Sequence, residues 1–191
     1  MADQATRGAA RLAAFIAVPI ALVVGLIAFK VLDGHVSAAP AASATPGPQS
    51  TAPVAIPAPN LADGPATVCR ALIAALPNQI QNLPRRPVTA GPEQNAAYGD
   101  PAITLGCDNV PKPGVPPTAE VWVLSNVCWY EQQTKTATTW TTVDRALPVQ
   151  VTVPSHYDGP GQWVTEFSGA VASSQAAVTS GIPTGCTDPT G

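Results

Sequence analysis

Histidine is nearly missing from this 191-residue chain, which has two, His35 and His156. No cysteines stand in CxxC spacing and no histidine is near one, which removes the usual zinc patterns. There is no HExxH, no phosphate-binding glycine loop and no nucleophile elbow. Charge is scarce as well, with nine Lys and Arg against twelve Asp and Glu. Over residues 66–191 the bases are Arg70, Arg85, Arg86, Lys112, Lys135 and Arg145, facing nine carboxylates. That mildly acidic balance argues against nucleic acid or an anionic lipid surface as the main partner.

Charge vanishes altogether over the eighteen residues Leu12 to Phe29, between Arg11 and Lys30. At about 1.5 Å per helical residue such a run spans roughly 27 Å, close to the ~30 Å hydrocarbon core of a bilayer. Pro19 kinks a membrane helix without forbidding it. Arg7 and Arg11 precede the run, while Lys30 beyond it is nearly offset by Asp33. The positive-inside rule then keeps residues 1–11 cytoplasmic, makes 12–32 a signal-anchor helix and sends the rest outside. The rival is a cleaved signal peptide, with Val36-Ser37-Ala38 and Ala42-Ser43-Ala44 as small-residue sites. The run exceeds the 7–15 residues of a signal h-region, and no cysteine follows it for a lipid anchor. In both readings the remainder is exported. The anchor offers a further role, since Gly25, Ala14, Ala17 and Ala21 permit close helix contact in a membrane complex.

Residues 33–65 read as a disordered linker. From Ser37 to Pro65 they are mostly Ala, Pro, Ser, Thr and Gly, with Asp63 the only charge. Such a segment buries too little apolar surface to offset its ordering entropy, and its prolines stiffen it toward polyproline II.

Residues 66–191 are long enough for one core. Val68, Leu72, Ala75 and Leu76 follow helical spacing, with Pro65 in the first turn and Pro77 ending the run. Trp163, Phe167, Ala170, Val171, Ser174 and Val178 predict a second helix after Pro160. Between them the period is two. Strands are expected at 103–105, 121–124, 127–131, 137–143 and 149–153, with a hairpin turning near Ser125-Asn126. The expected fold is α+β: a four- or five-stranded, mostly antiparallel sheet with two helices on one face. Cys69, Cys107, Cys128 and Cys186 all lie in this part, an even number in an oxidising compartment. Three pairings are open. The favoured one joins Cys107 to Cys128, first strand to hairpin, and Cys69 to Cys186, first helix to tail.

Chemistry is thin. His156 stands in Pro154-Ser155-His156-Tyr157-Asp158, but neighbours in sequence cannot converge as a triad, and a surface or capping role suits it. Glu93, Asp100, Asp144 and Asp158 are the carboxylates for a glycosidase-like acid–base pair. Trp122, Trp129, Tyr130, Trp140 and Tyr157 cluster in the sheet region, as core or as a stacking platform for sugar or peptide. Arg85-Arg86, stiffened between Pro84 and Pro87, suits either an external carboxylate or phosphate, or this domain's own acids.

In order along the chain come Cys69 to Leu76 in an Ala/Leu helix, Arg85-Arg86-Pro87-Val88, and Tyr98-Gly99-Asp100-Pro101. Leu105-Gly106-Cys107, Trp129, Val143-Asp144-Arg145 and a valine-rich strand ending in Pro154 follow. This order resembles an actinobacterial family of exported proteins, domain of unknown function 3515. The resemblance spans nearly all of residues 66–186. It departs where the family pattern has Trp, Arg and Gly and this chain has Tyr98, Gly106 and Asp144. The resemblance implies an exported, anchored protein and supplies no activity, cofactor or metal. Arg85, Arg86, Asp100, Trp129 and Arg145 are the candidate binding residues, provided they converge on one exposed cleft. The expected function is that of a membrane-anchored extracytoplasmic envelope protein binding a protein partner or wall component. The alternative is an envelope hydrolase.

Overall fold

A computed structural model describes residues 49–187. The expected anchor, with its run Leu12–Phe29, lies outside the described residues. Among the described residues no helix is long and apolar enough to cross a membrane.

Helix α1 (Asp63–Ala75) stops where Pro77 forces Leu76 into extended backbone. Eight strands follow: β1 (Gln79–Ile80), β2 (Leu83–Arg86), β3 (Asn95–Tyr98), β4 (Ile103–Cys107), β5 (Trp122–Leu124), β6 (Val127–Gln133), β7 (Ala137–Thr142) and β8 (Val149–Pro154). Helix α2 (Pro160–Ser174) and a single 3-10 turn (Thr184–Cys186) complete the elements of the described residues. The strands form one sheet in the order β1-β2-β3-β4-β8-β7-β6-β5, every neighbouring pair antiparallel. The α+β class therefore holds, while the strand number is eight rather than four or five. The five expected strands are all present, and Ser125 and Asn126 both take the positive φ of a two-residue hairpin turn. The three added strands lack a period of two. β1 has two residues, β2 contains Pro84, and β3 is buried at all four positions. Helix α2 is shorter than its apolar pattern. The Gln175 side-chain amide bonds Leu147 N–H and C=O, and Val178 N–H turns away to Asp144 C=O.

Register sorts the side chains onto two faces. Leu105, Val151 and Trp140 lie in one cross-strand row, with Cys107 and Val149 beside them on the same face. This face carries Ile103, Leu105, Val151, Val153 and Trp129, all at or below 1 % exposure. Both helices cover it. Cys69 of α1 is bonded to Cys107, Ser168 of α2 accepts a hydrogen bond from Trp129 Nε1, and Phe167 meets Tyr98 edge-on. The opposite face is polar, with rows Thr104–Thr152–Thr139–Gln132 and Gly106–Gln150–Thr141–Tyr130.

The disulfides correct the expected pairing. They join Cys69 to Cys107 and Cys128 to Cys186, at Cα separations of 5.6 and 5.5 Å. β8 and β7 lie between β4 and β6. Cys107 and Cys128 are thus three strand spacings apart, about 14 Å, beyond the reach of a disulfide. They also point to opposite faces: Cys107 faces α1, and Cys128 faces away from the helices beside Val123. Closing loops of 38 and 58 residues is worth about 4 kcal/mol apiece in the chain-entropy account.

The second half of the expected linker is also not free. Residues 50–59 lie extended along β2 and β3, with Val54 bridged in parallel to Val88. Arg86 donates to Ala52 C=O, Asn95 and Asn109 to Pro57 C=O, and Gln94 to Pro59 C=O. Composition alone does not foresee this, because these bonds go to main-chain carbonyls.

Gly99 turns the chain between β3 and β4 at φ +70°, and a Cβ there would lie 2.9 Å from a Leu83 methyl and 2.8 Å from the Tyr157 hydroxyl. Gly99→Ala is expected to lower stability by roughly 1–3 kcal/mol, read as a fall in the urea midpoint at unchanged m-value.

Candidate functional site

The largest exposed apolar side chains among the described residues are Trp122 and Val123, at 46 % and 39 %. Both are on β5, an edge strand three residues long. One reason Trp122 is held in place is Trp140 beside it, with ring centroids 6.4 Å apart and planes at 56°. Because β5 pairs only with Val127 to Trp129, the rest of β6 has no strand on that side among the described residues. A hollow of about 440 Å³ opens there, lined by Pro116, Glu120, Trp122, Tyr130, Glu131 and Gln133. A second, of about 380 Å³, lies between the Pro111–Pro116 stretch and the polar sheet face, on Tyr130, Gln132, Thr141 and Gln150. The two adjoin at Pro116 and Tyr130. Among the described residues, no lysine, arginine or histidine lines either hollow. The chemistry on offer is two aromatic faces, two carboxylates, several side-chain amides and a threonine.

The candidate binding residues do not meet in one cleft. Trp129 is fully buried under α2. Arg145 is 2 % exposed, bonded to Asp144 and to Asn126 C=O. Arg85, Arg86 and Asp100 do share the β2–β3 corner. Arg86 stands 3.5 Å from Asp100 but directs its shorter bonds, 2.7 and 2.8 Å, at the carbonyls of Ala52 and Gly99. Arg85 reaches Ile73 C=O at 3.4 Å. These guanidiniums hold this chain's own backbone. The aromatic set divides too, with Trp129 and Trp140 in the core, Trp122 exposed, and Tyr130 and Tyr157 half-buried.

The four carboxylates sit on four separate connections. Asp100 and Asp158 lie at one end of the sheet, where Tyr157 O–H donates to Pro101 C=O. Glu93 and Asp144 lie at the other end. Asp144 is held at 2.6 Å by Arg145, and burial still pushes its carboxyl above the usual range, outweighing the nearby guanidinium. Asp144 Oδ1 and Arg145 Nε are buried and have no hydrogen-bond partner among the described residues. His156 is exposed and stacks edge-on against Tyr157. All four cysteines are in disulfides, so none is a thiolate ligand.

Sequence reading missed the residues that line the two hollows apart from Trp122 and Tyr130. Their signal is weak: a proline-rich stretch at 111–117 running into an aromatic edge strand, with the adjacent pair Gln132-Gln133 beyond it. It also missed Gln94, Asn95 and Asn109, whose role depends on a segment distant in sequence.

The fold and its grooves define an all-antiparallel, disulfide-stapled α+β domain with a polar open face. A family model described as protein of unknown function (DUF3515) matches residues 16–179, and the chain belongs to that family. Among curated proteins and among solved structures, nothing matches the chain.

Two outcomes follow from this geometry. Arg145→Ala leaves Asp144 buried beside no cation and should cost about 3–5 kcal/mol in urea unfolding, whereas half-exposed Trp122→Ala, which loses the Trp140 contact, should cost less, about 1–2 kcal/mol. Burial raises the Tyr98 hydroxyl above its ordinary pKa, and burial together with the Asp100 charge raises Tyr157. In the folded state both therefore keep their protons to higher pH than in the unfolded chain. Their contribution to stability is full below about pH 10 and is lost as pH rises through the folded values. Urea midpoints should fall across that window, and less steeply in Tyr98→Phe.

Proposed function

We propose that this protein is a membrane-anchored, extracytoplasmic cell-envelope protein of actinobacterial type, and that it binds wall carbohydrate without catalysis. The reading rests on one observation above the others: the paired hollows around Trp122 and Tyr130. Aromatic faces stack against the apolar face of a sugar ring. Carboxylates, glutamine amides and a threonine hydroxyl accept and donate to ring hydroxyls. A lining without cations gives no foothold to phosphate, sulfate or uronate groups, so the carbohydrate is neutral or amine-bearing.

Location has separate support. The uncharged run Leu12–Phe29, with its arginines on the N-terminal side, fits a signal anchor that leaves the domain outside. Two disulfides fit an oxidising compartment. Ala/Pro-rich composition favours an actinobacterial source.

The test is a titration of the full-length protein, in detergent, with soluble neutral and amino-sugar wall fragments, read by tryptophan fluorescence. The expected result is saturable binding that weakens roughly fivefold to tenfold in Trp122→Ala, the scale of one aromatic contact. Binding of wild type and variant with equal affinity would move the site elsewhere. No binding of any fragment would reject the carbohydrate reading.

A further inference from the structure

The segment Ser50–Pro59 is seated in a groove that is built to receive it. Arg86 Nη2 donates to Ala52 C=O at 2.7 Å and to Ser50 Oγ at 3.3 Å. Val54 is bonded on both sides, its N–H to Pro87 C=O and its C=O from Thr89 N–H, each at 2.9 Å. Pro57 C=O accepts from Asn95 Nδ2 at 3.1 Å and from Asn109 Nδ2 at 2.7 Å, and Pro59 C=O accepts from Gln94 Nε2 at 3.2 Å. Gln94 Nε2 also donates to Asn109 Oδ1 at 2.9 Å and Asn95 Nδ2 to Ala90 C=O at 3.0 Å, so the domain itself holds these amides in place. Two glycines make the room. A Cβ on Gly91 would lie 2.7 Å from the Ala58 methyl, and one on Gly106 would lie 2.5 Å from Asn109 Nδ2.

The groove reads main chain. Four carbonyls, of residues 52, 54, 57 and 59, are each met by a donor from the domain, while Ser50 alone is bonded through its side chain. A chain that offers carbonyls at these intervals and few N–H groups fits best. Prolines at 53, 57 and 59 supply that, since each keeps its carbonyl, lacks an N–H and holds the chain extended.

From these contacts we infer that the groove on Arg86, Val88, Gln94, Asn95 and Asn109 is a recognition site for extended Ala/Pro-rich polypeptide. Residues 50–59 are its ligand in cis. Residues 60–62 are the only connection to α1, so the segment returns to the groove at a high effective concentration. The site is thereby self-occupied, and an Ala/Pro-rich segment of another chain enters when the strap lets go.

The test uses the full chain and a labelled peptide of residues 49–61, read by fluorescence anisotropy. In one form of the protein residues 50–59 are replaced by Gly-Ser repeats. That form should bind the peptide at least tenfold more tightly than wild type, and Asn95→Ala with Asn109→Ala in it should abolish the gain. A strap-replaced chain that keeps both disulfides and its tryptophan spectrum yet takes no peptide would overturn the inference. Should the replacement not fold, amide exchange in wild type decides. Val54 and Thr89 should exchange at least tenfold faster than Leu105 and Val151, through local release of the strap. Equal rates in all four would mean release only by global unfolding, which overturns it.

Discussion

Both helices lie against one face of the sheet, and the Cys69–Cys107 bond ties α1 to β4 in that contact. The rest of the structure depends on this. A sheet with one covered face has its register fixed, because a slip by one residue would turn Leu105, Val151 and Trp140 toward water. Trp129 contributes the largest buried side chain and carries a polar atom with it, which Ser168 satisfies. Where satisfaction is incomplete, at Asp144 and Arg145, the pair sits at the mouth of the β7–β8 connection and pins Asn126 and the segment after α2. Such a pair adds little net stability while costing much if half of it is removed.

Covering one face decides what the other is free to do. It is lined by threonines and glutamines, and two stretches without regular structure lie over it or at its margin. The strap closes the β2–β3 side, and residues 110–119 frame the hollows on the β6 side. Cys128–Cys186 belongs to this second side and draws the chain after α2 back toward the β5–β6 hairpin. The two disulfides thus serve different faces. At the β5–β6 edge Trp122, on the helix side, and Tyr130, on the polar side, remain uncovered, and the proposed carbohydrate groove occupies that edge.

How much of this could be read beforehand differs from element to element. Val149-Gln150-Val151-Thr152-Val153 alternates because one side of β8 is core and the other polar, so its strand was plain. Ser125-Asn126 was equally plain, since a two-residue hairpin demands residues that tolerate positive φ. β3 was not legible: Asn95-Ala96-Ala97-Tyr98 is buried on both sides and shows no period. The strap was illegible for a deeper reason, because an Ala/Pro-rich segment bound through its carbonyls looks the same in sequence as one bound to nothing. The candidate site fared worst. Arg86 and Arg145 drew notice as charges, yet both are spent on this chain's own backbone and acids, and Trp129 is core. Pairing of the cysteines needed strand order, which places β8 and β7 between β4 and β6.

Disulfide mapping of the full-length protein, by digestion without reduction and mass spectrometry of the linked peptides, tests the central claim most directly. Linked peptides joining Cys69 to Cys107 and Cys128 to Cys186 are the predicted result. Peptides joining Cys107 to Cys128, or Cys69 to Cys186, would contradict the strand order and the assignment of the two faces together.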